Sequence, residues 1–337
     1  MHLRARTPLR VSFAGGGTDV PPFPQNEGGC VLSATIGRYV YGGLEPRNDG
    51  QIGIDSPDLG VSMTFSVKEE VELDGTLDLI KAAVRRLGKD EVGGYDLFVN
   101  SSAPPGSGLG SSSAVMVTLV GLLNERYQLG LDDYEVAQLA WSVEREDLGI
   151  RGGYQDHYAA AFGGFNFIEF HADHVVVNPL RIKDRTLDEL EHALLLVFTG
   201  RTRASDHIIE DQSARVERGE ADPLAGLRAQ KELAHDMKRI LLQGKVNDFG
   251  AMLGQAWHEK KRMSPRITNA DIDEAYAIAC ENGALGGKIT GAGGGGFMLL
   301  HCEFRRRHRV VEALEKLGMR AESISFDQRG LTTWRSR

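Results

Sequence analysis

Pro104-Pro105-Gly106-Ser107-Gly108-Leu109-Gly110-Ser111-Ser112-Ser113-Ala114 lies between two segments with different hydrophobic patterns. Residues 95–100 alternate apolar and polar side chains before it, which is typical of a half-buried strand. Residues 114–123 are apolar on every side after it, which is typical of a buried helix. Glycine lets a backbone approach an anion closely, and a helix start offers unpaired N–H groups and a partial positive charge. We therefore interpret the stretch as a phosphate-binding loop, whose serines cap the helix and leave one hydroxyl for a phosphate-bound magnesium ion.

Three other interpretations of this loop compete with that one. A Pro-Pro-Gly-Ser run can form a plain turn, although the flanking strand and helix argue against it. The Walker pattern requires a lysine before its final serine or threonine, and no lysine is present here. The dinucleotide fingerprint requires a third glycine where Ser111 stands. The loop therefore favours a nucleoside triphosphate over a dinucleotide.

Composition narrows the class of protein. A chain of 337 residues is long enough for two domains, and 41% hydrophobic with 26% charged residues is ordinary for a soluble globular protein. The net charge of −8 argues against a nucleic-acid-binding surface. The three cysteines are scattered and lack metal spacing, which indicates a reducing compartment. The N-terminus lacks an export signal and no apolar run could span a bilayer, so we expect a cytoplasmic protein that binds neither membrane nor nucleic acid.

Two further glycine clusters frame the chain. Gly15-Gly16-Gly17-Thr18-Asp19 interrupts a predicted strand over residues 4–14, and Thr-Asp side chains are suited to hydrogen bonding with sugar hydroxyls. Residues 286–296 contain eight glycines or alanines and run into the apolar segment 297–300. So many positions without large side chains imply a close backbone approach to another group, with a hinge as the structural alternative.

Two carboxylates stand out between these clusters. Glu144 lies on or beside an apolar stripe of a helix that Asp132 or Asp133 would cap and that would run to about Leu148. An inward carboxylate needs a partner, which is a buried arginine or a metal ion. Asp156 begins a short helix after a glycine-rich loop, where it can cap the helix, and that position also fixes the carboxylate for catalysis.

The remaining chain predicts a mixed α/β architecture with a change of character near residue 190. Before this point we expect a strand at residues 30–44 with a bulge or turn at its glycines, antiparallel strands at 51–58 and 61–72, and a helix at 77–87. One strand and four long helices, at 205–218, 223–243, 246–263 and 270–282, are expected after it, with another helix at 305–318. We expect domains over residues 1–190 and 191–337. The basic clusters at Arg201 and Arg203 and at Lys260-Lys261-Arg262 are interpreted as solvated surface, with anion binding as the alternative.

Three segments together resemble one family. Pro8-x-Arg10 with Asp19, the loop at 104–114 and the stretch 288–297 resemble the three signature motifs of the GHMP small-molecule kinases, in order along nearly the whole chain. Gly153-Tyr154-Gln155-Asp156 and the 13–20 segment most resemble the D-glycero-D-manno-heptose 7-phosphate kinases. The resemblance implies an α+β, two-domain fold: an N-terminal domain like domain 2 of ribosomal protein S5, and a ferredoxin-like C-terminal domain. It also implies phosphorylation of an anomeric hydroxyl by ATP, to make the 1,7-bisphosphate for nucleotide-activated heptose synthesis.

The resemblance also implies roles for individual residues. The ATP-binding residues would be Pro105, Gly106, Ser107, Gly108, Leu109, Gly110, Ser111, Ser112 and Ser113. Ser112 and Glu144 would hold Mg²⁺, and Asp156 would face the acceptor hydroxyl with Arg10 close enough to keep it ionised. The sugar-binding residues would be Gly16, Gly17, Thr18, Asp19, Gly153, Gly291, Gly293 and Gly294.

One departure from the galactokinases indicates the substrate. They carry Gly-Glu-His-Thr-Asp where this chain has Gly15-Gly16-Gly17-Thr18-Asp19, and the loss of two polar side chains opens space for a longer sugar. The candidates for binding the sugar's terminal phosphate are Arg151, Arg201, Arg203 and Lys261. His157 stands where the family more often has glutamine. An anomeric kinase of an unphosphorylated fucose- or galactose-type sugar and a catalytically silent sugar and ATP sensor remain the alternatives. The sequence leaves the anomer, the adenine pocket and the oligomeric state open, with a homodimer as one option.

Overall fold

A computed structural model describes residues 2–88, 93–202 and 206–336. The strands are β1 His2–Ala14, β2 Gly29–Pro46, β3 Gln51–Ser56, β4 Val61–Ser66, β5 Tyr95–Ser101, β6 Phe165–Phe170, β7 Val175–Pro179, β8 Leu194–Phe198, β9 Ala284–Ile289, β10 Phe297–Cys302, β11 Arg320–Ser323 and β12 Thr332–Ser336. The helices are α1 Phe23–Glu27, α2 Asp78–Leu87, α3 Ser111–Tyr127, α4 Asp133–Ser142, α5 Gln155–Phe162, α6 Asp184–Ala193, α7 Asp206–Glu217, α8 Ala221–Leu242, α9 Val246–Met263, α10 Ala270–Glu281 and α11 Arg307–Glu315.

Strand β2 is central to the larger sheet, because three other described strands pair with it. Its second half pairs with β5 and its first half pairs with β6, while β1 pairs along most of its length. The β1–β2 ladder shifts register twice, which agrees with the bulge predicted from the glycines of β2. The strands β3 and β4 form the predicted antiparallel hairpin, and β3 lies parallel to β5.

Helix α3 packs across this sheet, and this position explains why the helix is apolar on every side. Met116, Leu119 and Leu122 are fully buried, and so are Val117, Val120 and Leu123 on other sides of the helix. The helix lies between β1 and β2 on one side and α2, α4 and α5 on others, so its middle is buried on nearly every side. The helix starts at Ser111, which lies inside the predicted phosphate loop at 104–114.

The smaller sheet has the order β11-β8-β10-β9 in the described part of the chain, with antiparallel pairing throughout. Along the sequence, the elements that form and cover this sheet are, in order, a strand, helices, two strands, a helix and a strand. This order and connectivity are those of a ferredoxin-like fold, as the resemblance implied.

The two sheets divide the chain close to residue 190, but the division is not complete. The strand β12 pairs with β1, so the last residues lie in the sheet of the first. The domain limits at 190 and 191 stay a prediction.

Several local features differ from the sequence-based expectations. Helices α1 and α6 were not predicted, and β4 ends at Ser66 rather than near residue 72. No side chain caps α3, whose N-cap residue is Gly110, so the predicted serine cap is wrong. Asp156 is the second residue of α5 and Tyr154 is its N-cap, so the predicted capping role of Asp156 is also wrong. Among the helices of the described residues, none is both long and apolar enough to cross a membrane.

Candidate active site

The phosphate loop is shaped by contacts that only glycine permits. Gly106, Gly108 and Gly110 have φ angles of 73°, 80° and 74°, which side-chain-bearing residues rarely adopt. A Cβ on Gly108 would lie 2.5 Å from the carbonyl oxygen of Thr290, so the loop packs directly on the third glycine cluster. Because no side chain caps α3, the N–H groups of its first turn remain available to an anion.

A cavity of about 360 Å³, which we call the nucleotide cavity because predicted ATP-binding residues line it, opens beside this loop. Loop residues form the polar end of the cavity. Leu59, Leu77 and Leu79 supply apolar surface to the rest of its lining. The loop residues that line it are Pro105, Gly106, Ser107, Gly108, Gly110, Ser111 and Ser112. Leu109 and Ser113 point elsewhere: Leu109 is fully buried in the core, and the Ser113 hydroxyl donates to Glu144. The sequence analysis did not assign these apolar residues to a site, because they come from the turn after β3 and from the start of α2, which carry no motif.

Glu144 lies in a fully buried polar cluster behind the start of α3. One turn of π-helix, Val143–Asp147, turns its carboxylate inward. Its Oε1 accepts from the Ser112 hydroxyl at 2.7 Å and lies 3.3 Å from Nη1 of Arg145. Its Oε2 accepts from the Ser113 hydroxyl at 2.8 Å and from Nε2 of His157 at 2.6 Å.

The cluster keeps Glu144 ionised. Burial by itself raises the pKa of Glu144, but the charges of Arg145 and His157 and the hydrogen bonds outweigh it and lower that pKa to about 2. Of the two partners that the sequence left open, the structure shows an arginine, which contacts the same carboxylate oxygen that accepts from Ser112. It also gives His157 a role as a hydrogen-bond donor to Glu144.

Asp156 and the phosphate loop are joined by one side chain. Arg10 is buried; its Nε and Nη2 both lie 2.6 Å from Oδ1 of Asp156, and its Nη1 donates to the Gly108 carbonyl at 2.7 Å. The backbone N–H of Arg10 also donates to the Leu109 carbonyl. A Cβ on Gly110 would lie 3.4 Å from Cγ of Asp156. Asp156 therefore lies against the start of α3, next to the N–H groups that no side chain caps.

A smaller pocket of about 80 Å³, which we call the acceptor pocket because most of the predicted sugar-binding residues line it, lies on the other side of Asp156. Asp19 lines it and is held by Gln155, whose backbone N–H and Nε2 each donate at 3.0 Å. A Cβ on Gly153 would lie 1.9 Å from Oδ2 of Asp19, so glycine is required there. Burial raises the pKa of Asp19, and the negative charge of Asp156 adds to this effect, while the backbone N–H groups oppose it.

Most of the predicted sugar-binding residues line this acceptor pocket, and three do not. Gly16, Gly17, Asp19, Gly153 and Gly291 line it. The Thr18 hydroxyl is fully buried and bonded to the backbone of Gly15 and Cys30, so it stabilises the loop instead of facing a sugar. Gly293 and Gly294 pack on Ile267.

Two residues of the second half of the chain complete the pocket and were missed by the sequence analysis. Gln212 of α7 occupies part of the space predicted to be open, because a Cβ on Gly17 would lie 2.9 Å from its Nε2. Lys260 of α9 is buried in the pocket and donates to the Gly291 carbonyl. The prediction of a solvated Lys260 is therefore wrong, although Lys261 and Arg262 do pair with surface carboxylates.

The buried position perturbs Lys260. Removal from water lowers the pKa of Lys260 to about 8, and repulsion by Arg10 adds to this, while Asp19 and Asp156 oppose it. Lys288 is also buried nearby, donating to the Phe13 carbonyl at 3.2 Å, and burial lowers its pKa strongly. The pocket thus brings cations and carboxylates from both halves of the chain together.

Known families match both parts of this site. The model for the GHMP kinases N terminal domain matches residues 78–164, which contain the phosphate loop, Glu144 and Asp156. The model for the GHMP kinases C terminal matches residues 235–318, which contain Lys260 and the third glycine cluster.

Individual relatives cover the whole chain. D-glycero-alpha-D-manno-heptose 7-phosphate kinase of Campylobacter jejuni is 40% identical over 337 residues, covering 99% of both chains. The crystal structure of a D-glycero-D-manno-heptose 1-phosphate kinase from Bacteroides thetaiotaomicron is 35% identical, covers 99% of both chains and superposes with a TM-score of 0.84. Lactococcus lactis galactokinase has a TM-score of 0.77 at 20% identity, over 98% of this chain and 95% of its own, which shows a shared fold.

The chain belongs to the GHMP kinases. The predicted α+β two-domain kinase fold is therefore confirmed, and so is the prediction of a sugar kinase within this family.

Proposed function

We propose that the protein transfers the γ-phosphoryl group of ATP to the anomeric hydroxyl of D-glycero-D-manno-heptose 7-phosphate, giving the 1,7-bisphosphate for nucleotide-activated heptose synthesis. The observation that carries the proposal is the contact of Asp156 with the start of α3, fixed by an arginine that also holds the phosphate loop. The heptose 7-phosphate kinase relative supports the choice of sugar, at 40% identity over 99% of the chain.

The reaction needs little covalent help from the protein. Phosphoryl transfer depends mainly on positioning and charge neutralisation. The N–H groups at the start of α3 bind the terminal phosphates of ATP. The anomeric oxygen forms a bond to the γ-phosphorus, the bond from that phosphorus to the bridging oxygen breaks, and ADP leaves. The hydroxyl proton passes to the carboxylate of Asp156.

Arg10 positions this base. Its contacts both involve Oδ1 of Asp156, and no other described side chain donates a hydrogen bond to Oδ2. The second oxygen is therefore available to the sugar hydroxyl. Because Arg10 also donates to the Gly108 carbonyl, the distance between the base and the phosphate loop is set by one side chain.

The site also fits a magnesium ion. Ser112 Oγ and Glu144 Oε1 are hard oxygen donors, and their separation of 2.7 Å is close to the roughly 3 Å between neighbouring ligand oxygens of an octahedral magnesium ion. Magnesium bound there would neutralise charge on the β- and γ-phosphates. No group of three or more histidine, cysteine or acidic residues able to hold a metal occurs in the described residues. A site with two protein ligands and phosphate oxygens suits magnesium.

The free thiols are consistent with the proposed setting. Cys30, Cys280 and Cys302 form no disulfide, as expected where ATP and a reducing pool occur together. We propose the cytoplasm as that compartment.

A kinase of an unphosphorylated sugar is the second candidate. A bifunctional L-fucokinase of Bacteroides fragilis is 28% identical over 88% of this chain, although the chain covers 34% of that protein. ADP release should be measured with heptose 7-phosphate, heptose, L-fucose and D-galactose at equal concentrations. We expect turnover with heptose 7-phosphate to exceed that with each other sugar by at least tenfold. Equal turnover of heptose and heptose 7-phosphate would favour the second candidate, and no ADP release with any sugar would favour a silent sensor.

A further inference from the structure

A second cavity, which we call the side pocket, adjoins the acceptor pocket. It has a volume of about 370 Å³, and Val20 and Ile209 line both the acceptor pocket and the side pocket. Arg10 and Gly291, by contrast, line both the acceptor pocket and the nucleotide cavity. The acceptor pocket therefore connects the nucleotide cavity to the side pocket.

The side pocket carries two guanidinium groups. Arg151 is exposed, and no carboxylate in the described residues forms an ion pair with it. Arg145 is largely buried behind the loop 149–152, and its Nε has no hydrogen-bond partner among the described atoms. The one acidic residue of the lining is Glu146, whose carboxylate already accepts from the Ser142 hydroxyl. The hydroxyl-bearing Ser213 lies in the lining as well.

Four cations were predicted to bind the sugar's terminal phosphate, and the structure gives the surroundings of three of them. Arg201 is 77% exposed and pairs with Asp271, and Lys261 pairs with Asp273. Arg203 lies outside the described residues. Of the three that can be placed, Arg151 is the one that lines a pocket next to the acceptor pocket.

The position of the pocket matches the chemistry of a phosphorylated sugar. A heptose 7-phosphate carries its phosphate at the end of the chain opposite the reacting hydroxyl. Since that hydroxyl must meet Asp156 at the nucleotide side of the acceptor pocket, the terminal phosphate must lie beyond the pocket's other side. The planar guanidinium group is well suited to phosphate because it donates two parallel hydrogen bonds.

We propose that the side pocket is the binding subsite for the terminal phosphate of the sugar, and that Arg151 is its principal ligand with Arg145 as supporting charge. The inference rests on the proposed function, since it assumes a sugar phosphate as acceptor. It assigns the discrimination between phosphorylated and unphosphorylated sugars to Arg151.

The test compares two substrates in two variants. Arg151→Met should lower kcat/KM for heptose 7-phosphate by about 10- to 100-fold, because a charge-assisted hydrogen-bond pair is lost. The KM for ATP should stay unchanged, and kcat/KM for heptose should change by no more than about twofold. Arg185→Met, at an exposed position of α6, is the matched control and should leave both sugars unaffected. Arg151→Lys should retain part of the preference, because it keeps the charge without the planar donor pair.

The outcomes separate this inference from the proposed function. If the wild type prefers heptose 7-phosphate and Arg151→Met keeps that preference, the side pocket is not the subsite although the proposed function stands. An equal loss for both sugars, or a raised KM for ATP, would assign Arg151 to the nucleotide, whose cavity also borders the side pocket at Ile150. If the wild type does not phosphorylate heptose 7-phosphate, the proposed function itself fails.

Discussion

Substitution of Lys260 tests how the acceptor pocket binds the phosphoryl group that is transferred. The ammonium group is buried beside Arg10 and donates to the Gly291 carbonyl. The fall in the pKa of Lys260 from 10.5 to about 8 corresponds to about 3 kcal/mol by which the pocket disfavours its charged form relative to water. An anionic phosphoryl group entering the pocket removes this penalty, so we predict that Lys260 helps to bind the group being transferred.

The pH dependence follows with a definite sign. Lys260 is charged below about pH 8 in the free enzyme, and the charged form attracts phosphate. The plot of kcat/KM against pH, which reports groups of the free enzyme, should therefore fall as the pH rises through about 8. The free energy of unfolding should change with pH in the opposite direction to kcat/KM. The folded state loses the Lys260 proton near pH 8 and the unfolded state keeps it to about pH 10.5, so the free energy of unfolding should rise with pH between these values.

Two variants isolate this effect. Lys260→Met keeps the apolar stem and removes the charge, and it should lower kcat/KM by about 10- to 100-fold near neutral pH and abolish the step near pH 8. Lys260→Arg keeps a charge at all pH values and should also lack the step while retaining more activity. The assay is ADP release at saturating ATP between about pH 6 and pH 10, with urea unfolding over the same range. If Lys260→Met keeps both the activity and the step of the wild type, the reasoning is refuted.

Two other variants test the roles of the carboxylates. Asp156→Asn should lower kcat by about 10²- to 10⁴-fold and leave the affinity for ATP and Mg²⁺ unchanged by calorimetry, because the amide keeps an oxygen for Arg10 but cannot take up the hydroxyl proton. Glu144→Gln should raise the Mg²⁺ concentration needed for half-maximal velocity by at least about tenfold, measured by magnesium titration of ADP release. It should also remove a stabilising effect that is fully present above about pH 4.5 and is lost as the pH falls towards 2, measured by acid unfolding.

Each of these has a result that would contradict it. Unchanged ADP release by Asp156→Asn would reduce Asp156 to a structural role at the start of α5. A magnesium titration of Glu144→Gln that overlays the wild type would show that the buried cluster supports the helix without holding the metal. Ser142→Ala, which removes the hydroxyl bonded to Glu146 in the same region, is the control and should behave like the wild type.

The sequence predicted the features that depend on local pattern. The strand, loop and helix at 95–127 are confirmed, because a helix apolar on every side can be stable only inside the protein. Glu144 was identified by its place on an apolar stripe, and it is fully buried. The same criterion applies to Lys260, which follows Phe249, Leu253 and Trp257 at helical spacing on α9. It was missed because two further cations follow it and the three were interpreted as one surface cluster.

Other features depend on contacts between distant segments and carry no local signal. The apolar residues of the nucleotide cavity come from the turn after β3 and from the start of α2. Gln212 enters the acceptor pocket from α7, and β12 pairs with β1 across more than 300 residues. Thr18 belongs to a motif, but the motif does not tell which of its side chains faces the pocket, and its hydroxyl is bonded to the backbone instead.

The product of the reaction tests the central claim most directly. The protein should be incubated with ATP, Mg²⁺ and heptose 7-phosphate and followed by ³¹P nuclear magnetic resonance. We predict a new phosphorus signal coupled to the anomeric proton, growing in step with ADP while the signal of the 7-phosphate persists. A phosphate attached to any other carbon, or ADP formed without a new sugar phosphate, would contradict a site in which Asp156 presents the anomeric hydroxyl to ATP.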